Sequence, residues 1–227
     1  MVPQRGWLRV RFCHRGSEMD PVNFQSAPPP NLLLVISGSS GAGKDAVIDR
    51  MKELHVPVAH VVTATTRQQR PGELDGVHYH FLSVERFNEM VEHGEMLEWA
   101  KVYHNFYGVP RFAVMDALKS GKDVVVKVDV QGAATIRRTV PGAVLLFIRP
   151  PSMEELERRL RNRKSESSAE ISVRLGKAVD EYGQLPIFDY VLTNHEGRID
   201  EVVGEVRSII VAEKHRVNPR RVELGTN

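Results

Sequence analysis

The sequence predicts an α/β protein: a parallel sheet flanked by helices, of the type in which a Gly-rich loop at a strand end holds phosphate. Three observations predict it. Short apolar runs alternate with amphipathic stretches from residue 31 onward, the pattern of strand–helix units whose strands are covered on both faces. The first run, residues 32–37 (LLLVIS), leads directly into GSSGAGKD at 38–45. A helical pattern then leaves that turn at residues 44–54 (KDAVIDRMKEL), so successive backbone N–H groups and a helix N-terminus meet where phosphate oxygens bind.

The remaining elements follow in order. Residues 63–81 (TATTRQQRPGELDGVHYHF) are polar and turn-rich, a helix begins near Ser83, and a short strand pair lies around MLEWAKVYHNFYGV. The helix PRFAVMDALKSG stops at Gly121, and residues 122–130 (KDVVVKVDV) and 142–150 (GAVLLFIRP) read as the second and third buried strands. In SMEELERRLRNR, Ser152 serves as N-cap, with acids in the first turn and bases in the last, as the helix dipole favours. A polar loop (RNRKSESS) precedes another helix, FDYVLTN at 188–194 is the last strand, and RIDEVVGEVRSIIVAEKHR closes the fold as an amphipathic helix. Its Val202, Val206, Ile209 and Ile210 fall at helical spacing and face the core. The turn-rich stretch and the RNRKSESS loop read as insertions able to move over the sheet.

With 227 residues, 41% hydrophobic and 26% charged, the chain is an ordinary globular protein with room for a sizeable core. A net charge of +2 is too small to argue for nucleic acid, and the basic excess lies at residues 5–15 and 214–221, which read as solvated ends. Cys13 is the single cysteine, so a disulfide framework and a thiolate metal site are both excluded. That usage fits a reducing, cytoplasmic interior. No apolar run approaches the ~20 residues of a membrane span. Residues 1–30 are expected to be a disordered lead-in with Met19 as the native start, and residues 216–227 a basic tail. Nothing in the sequence specifies an oligomeric state.

Two clusters carry chemistry. In the loop, Gly38, Gly41 and Gly43 let the backbone curl, so that Ser39, Ser40 and Ala42 present their N–H groups, and Lys44 places a point charge between β- and γ-phosphates. Asp45 stands where such a loop ordinarily carries a Ser or Thr hydroxyl for magnesium. In TTRQQRPGELDGVHY, Arg67 and Arg70 with the Tyr79 hydroxyl form a donor fork for a second phosphate; by itself, that stretch is equally well a solvated charged loop. His78 and His80 flank Tyr79 with no third metal ligand placed nearby in sequence.

The segments GSSGAGKD, TATTRQQRPGELDGVHYHF, GEMLEWAKVYHNFYGVP, VDVQGA, RRLRNR and SVRL fall in the order and at the spacing of the guanylate kinase family, which the chain resembles from about residue 32 to 215. The resemblance implies a core (31–62 and 110–215), an inserted nucleotide-monophosphate-binding subdomain (63–109) and a lid (about 163–170). It implies transfer of the ATP γ-phosphoryl to GMP, and to dGMP, with Mg2+ as cofactor, in purine nucleotide recycling. Arg67, Arg70, Tyr79 and Tyr107 would hold the GMP phosphate, and Thr63 would donate to guanine O6. Glu98 would accept from N1–H and the exocyclic amine of guanine, neither of which adenine offers, a mismatch able to discriminate by roughly 10⁴. Asp129 matches the carboxylate at the end of the strand beside the loop, and Asn194 a residue near the ATP adenine. Arg163 and Arg174 match the lid pair that neutralises charge on the transferring phosphoryl.

Three positions depart from the family pattern: Asp45 in the loop, Lys127 where a second carboxylate is usual, and Val109 where a Ser or Thr would donate to guanine. Asp45 and Lys127 are expected to face each other across the magnesium site, the carboxylate having moved onto the loop with an ammonium opposite. Gly-Lys-Asp in the loop also occurs in ribose 1,5-bisphosphate phosphokinases, which lack the complete Arg-Pro-Gly-Glu-x-Asp-Gly run and the Asp-Val-Gln-Gly match present in this chain. A phosphopeptide-binding module of the same fold is the other alternative; such modules typically degrade the loop, whereas Lys44 and the phosphate and lid arginines are intact here.

Overall fold

The computed structural model of the chain describes residues 28–102, 104–162 and 168–224. Its centre is a five-stranded, all-parallel sheet in the order β2-β7-β1-β8-β9. The strands are β1 (Leu33–Gly38), β2 (Val58–His60), β7 (Asp123–Lys127), β8 (Val144–Arg149) and β9 (Tyr190–Thr193). Alternation along β1 divides the interior: Leu34 and Ile36 face one core with Leu146 and Ile148, while Leu33 and Val35 face another with Val124, Val126 and Leu145. Both faces are therefore apolar, and Leu33, Leu34, Val35 and Ile36 are fully buried. This is why the strand reads as a continuous apolar run.

Helices α1 (Lys44–Glu53) and α7 (Ile199–Lys214) cover the first face through Val47, Met51, Val202 and Val206. The second face is covered by α3 (Arg111–Lys119) and α4 (Val130–Thr139), through Val114, Ala133 and Ile136. Helices α5 (Met153–Asn162) and α6 (Ser168–Gly183) pack against each other around Leu156, Leu160, Ile171 and Ala178.

The insertion builds a smaller sheet, β4-β3-β6-β5, from β3 (Ala64–Thr65), β4 (His80–Phe81), β5 (Met96–Val102) and β6 (Asn105–Pro110). Helix α2 (Val84–Glu92), capped by the Ser83 hydroxyl, closes it with Phe87 and Met90 packed on Ala64 and Met96. A register shift between Met96 and Glu98 buries three successive residues of β5. It sends Met96 into the insertion's core, Leu97 into the main core, and Glu98 toward the cleft.

Several expectations need correction. The apolar run at 122–130 is not one strand: β7 stops at Lys127, and the Asp129 carboxylate accepts the Gly132 N–H and starts α4, with Val130 already helical. The turn-rich stretch contributes two strands, and β2 at the sheet edge was not anticipated. The basic C-terminal tail is not solvated throughout. Val222 and Leu224 pack on the core, Arg220 pairs with the buried Glu213 at 2.9 Å and with Asp189 at 3.0 Å, and an added Cβ on Gly142 would lie 1.9 Å from the Arg221 carbonyl. The basic run is a strap across the core, its Arg220 neutralised by Glu213 of α7 and by Asp189 just before β9. The lead-in up to residue 27 and residues 225–227 lie outside the described residues. Among the described residues, no helix is long and apolar enough to cross a membrane.

Candidate active site

The loop between β1 and α1 is held from below. Gly38 passes so close to β8 that a Cβ there would sit 2.0 Å from the Ile148 carbonyl. Gly43 adopts φ +94°, and a Cβ on it would meet the Asn194 amide nitrogen at 2.4 Å, so both positions require glycine. Asn194, buried, donates to the Ala42 carbonyl at 2.9 Å, and Arg159 donates to the Asn194 carbonyl at 2.9 Å. The structure thus seats Asn194 beneath the loop.

Lys44 folds back over the loop and donates to the Gly38 and Ser39 carbonyls at 2.7 and 3.0 Å. Burial, aided by the Lys127 charge, lowers its pKa from the ordinary lysine value, against the opposing pull of Glu181 and Asp45. From α6, Arg174 donates to the Ser40 hydroxyl at 3.1 Å. Two helical turns further along, Glu181 lies against the Ser40 N–H and feels the Lys44 charge, with one carboxylate oxygen buried and without a hydrogen-bond partner among the described residues. Sequence reasoning missed Glu181. The seven-residue spacing from Arg174, two helical turns, was the signal that puts both on the loop.

Across the cleft, Arg67 forms a two-point pair with Glu73 at 2.9 and 2.8 Å, and the Arg70 N–H donates to the same carboxylate at 2.8 Å. These hydrogen bonds hold the Glu73 carboxyl down at about 2 and raise the Arg67 pKa. The Arg67 guanidinium lies 5.4 Å from the centre of the Tyr79 ring, which meets Tyr107 edge-on at 6.2 Å. Arg67, Arg70 and Tyr107 from the insertion and Ser40, Lys44 and Arg174 from the core line one cavity of about 1030 Å³.

A smaller pocket of about 210 Å³ opens beside it, lined by Thr63, Tyr79, Glu98, Tyr107, Lys127 and Asp129, with Lys44 and Asp45 at its loop end. Burial, and secondarily the Asp129 carboxylate, push the Glu98 carboxyl up to about 8. Gly132 makes room for it: a Cβ there would lie 2.5 Å from Glu98 Oε2. Lys127 hydrogen-bonds Asp45 across 82 residues of sequence, so the two departures meet directly as an ion pair.

Other expected residues are placed differently. Val109 is fully buried in the main core rather than at either cavity. His78 accepts the Leu74 N–H in a turn at 2.9 Å, and only His80 belongs to a strand. Among the described residues no three His, Cys, Asp or Glu side chains gather as a metal site. Arg163 lies outside the described residues.

A phosphate loop at the head of a parallel sheet, facing an arginine–tyrosine cluster across a two-lobed cleft, defines a nucleotide-phosphate kinase of the α/β class. The family model described as guanylate kinase matches residues 31–213. Guanylate kinase 2, chloroplastic/mitochondrial, of Oryza sativa subsp. japonica is 45% identical over 87% of this chain and 70% of its own length. The guanylate kinase of Desulfitobacterium hafniense is 44% identical over 82% of this chain and 92% of its own. The crystal structure of guanylate kinase from Anaplasma phagocytophilum superposes with a TM-score of 0.66 at 31% identity, covering 84% of this chain and 89% of that one. The chain belongs to the guanylate kinase family.

Proposed function

We infer that the chain transfers the γ-phosphoryl of ATP to GMP, giving ADP and GDP. The observation that carries this reading is Glu98, a buried carboxyl in a pocket that Tyr79 and Tyr107 also line. Among the described residues no donor hydrogen-bonds the Glu98 carboxyl, whose pKa burial and Asp129 raise, and the edge of guanine presents two donors. Arg67, Arg70, Tyr79 and Tyr107 hold the acceptor phosphate, and Thr63, which lines the same pocket as Glu98, donates to guanine O6. The loop 38–45 cradles the ATP phosphates. Lys44 exchanges its two carbonyl partners for phosphate oxygens, and Arg174, with Arg163 from the lid, neutralises the transferring group. Asn194 keeps the loop in shape below the ATP site.

The donor set suits magnesium arriving with ATP. Mg2+ is held through one or two carboxylates plus substrate phosphates and water, and Asp45 is the carboxylate at the first turn of α1. Asp45 would hold the ion, which supplies charge neutralisation on the β- and γ-phosphates. The insertion and the 163–170 lid close over the two nucleotides and exclude water as a competing acceptor. Acceptance of dGMP follows from the site's contacts, which reach the base and phosphate. A purine-recycling role in the cytoplasm fits the single cysteine.

A coupled ADP-release assay with GMP, dGMP, AMP and ribose 1,5-bisphosphate tests the reading. GMP turnover far above that of AMP and the bisphosphate is expected; absence of GMP turnover overturns it.

A further inference from the structure

Lys127 ends β7. Its ammonium hydrogen-bonds Asp45 on the ATP side and lies 5.7 Å from the centre of the Tyr79 ring on the GMP side. It lines the small pocket together with Lys44 and Tyr79. Two ammonium groups thus border one confined space, and the Lys127 charge helps lower the Lys44 pKa. Burial also lowers the Lys127 pKa, yet the Asp45 and Tyr79 partners outweigh this and leave it raised. Cations crowded in a desolvated pocket are costly alone and are relieved by anions. Asp45, Glu181 and Asp129 offset part of this positive charge, and substrate phosphates entering the cleft add further anions.

We propose that Lys127 is a catalytic cation of the transfer, its ammonium bridging the GMP phosphate and the migrating phosphoryl, with Asp45 as the residue that positions it. The proposal rests on the GMP kinase reading. In the reaction, an oxygen of the GMP phosphate forms a bond to the γ-phosphorus of ATP. The bond from that phosphorus to the bridging oxygen breaks, and its electron pair stays on the ADP β-phosphate. No proton is required and nothing is oxidised or reduced. The negative charges of acceptor and donor are brought face to face throughout, and a fixed ammonium between them is worth most where the charge is in transit.

Lys127→Met is expected to lower kcat by about 100-fold, with the dissociation constants of ATP and GMP measured singly by calorimetry within about threefold of the unchanged chain. Lys127→Arg, which keeps the charge, restores part of the rate. A metal-free readout accompanies these: in EDTA, an adenosine–guanosine dinucleotide joined by a polyphosphate chain should bind Lys127→Met about 100-fold more weakly, because only that probe fills both phosphate sites at once. Asp45→Asn should weaken the probe by less, and add little in the Lys127→Met background. If the unchanged chain phosphorylates GMP while Lys127→Met retains kcat and probe affinity within about threefold, Lys127 is not a catalytic cation. If Lys127→Met does not fold, Lys127→Gln and Lys127→Arg decide the matter by the same two measurements. If the unchanged chain does not turn GMP over at all, the functional reading fails and this one falls with it.

Discussion

The two sides of the cleft are built on different principles. The ATP side is made of backbone: a glycine loop seated on the buried end of β1, pinned by Asn194 under Ala42 and by the close approach of Gly38 to Ile148. The GMP side is made of side chains, several of them already engaged within the protein. Arg67 is paired with Glu73, Tyr79 with Arg67 and Tyr107, and Glu98 is held toward its protonated form by burial. The backbone of the donor site is therefore shaped before its ligand arrives, with Lys44 left to exchange its carbonyl partners, whereas the acceptor site must change both side-chain partners and protonation to bind. Substitutions should act accordingly: side-chain changes dominate on the GMP side, and anchors of the backbone matter on the ATP side.

The largest expected effect is at Glu98. Replacing it by Gln leaves a donor facing guanine donors, and kcat/KM for GMP should fall by about 100-fold or more while the ATP constants hold. The pH dependence sharpens the point. With its carboxyl at about 8, Glu98 must release a proton to accept from guanine. GMP affinity should therefore rise about tenfold per pH unit toward that value and level off above it. Calorimetry in buffers of different ionisation enthalpy reads the released proton directly, and Glu98→Gln should abolish both the slope and the release. Stability of the ligand-free chain moves the other way. The unfolded carboxyl titrates near 4.5 and the folded one at about 8, so across that window the unfolded state binds fewer protons and stability falls as pH rises. Glu98→Gln removes that fall, and its melting temperature at neutral pH should exceed that of the unchanged chain. A GMP affinity independent of pH would break the contrast between the two sides.

How far each side was legible in the sequence follows the same division. A backbone site announces itself, because glycines at fixed spacing between an apolar run and a helix have few other uses, and β1 carries its double burial in LLVIS. The GMP side was legible only through the family resemblance, since Arg67 and Arg70 alone fit a solvated loop. Their engagement with Glu73 is a matter of how residues 67–73 turn. The burial of Glu98 depends on a register shift at Met96, invisible in the alternation of MLEWAKV. The strand-to-helix switch after Lys127 hid inside one apolar run, because capping by Asp129 needs the Gly132 N–H in place. The solvated tail expected of the C-terminal run is instead a strap because its neutralising acids lie outside the run, Glu213 in α7 and Asp189 in the link before β9. Asp45 and Lys127 were separately visible as departures, and only matched motif positions suggested that they meet.

A smaller effect is expected where the two sides touch. Gly132 belongs to α4 of the core, and the Cβ of Gly132→Ala would press on Glu98 Oε2 at 2.5 Å and on its Cδ at 2.9 Å. The end of a side chain can yield where backbone cannot, so the fold should survive and the base-reading carboxylate should shift. A misplacement of this kind should raise KM for GMP by about tenfold, leave KM for ATP alone, and change the melting temperature little. An equal rise in both constants would mean that the core and the insertion are coupled more broadly than through this one contact.

The smallest expected effect tests the backbone side. Asn194→Ala removes the hydrogen bond to Ala42 O, worth about 1 kcal/mol net, and should weaken ATP by about fivefold with GMP affinity unchanged. The effect stays small because Arg159 reaches the carbonyl of residue 194, a main-chain group that the substitution keeps. Gly43→Ala separates the two demands on that glycine. In the unchanged background its Cβ meets both the Asn194 amide nitrogen and a φ of +94°. In the Asn194→Ala background the contact is gone and the backbone strain remains. If the loop's shape is set chiefly by its own backbone, Gly43→Ala should impair ATP binding nearly as much in both backgrounds. If the seat beneath it governs, the second substitution should recover most of what the first one lost.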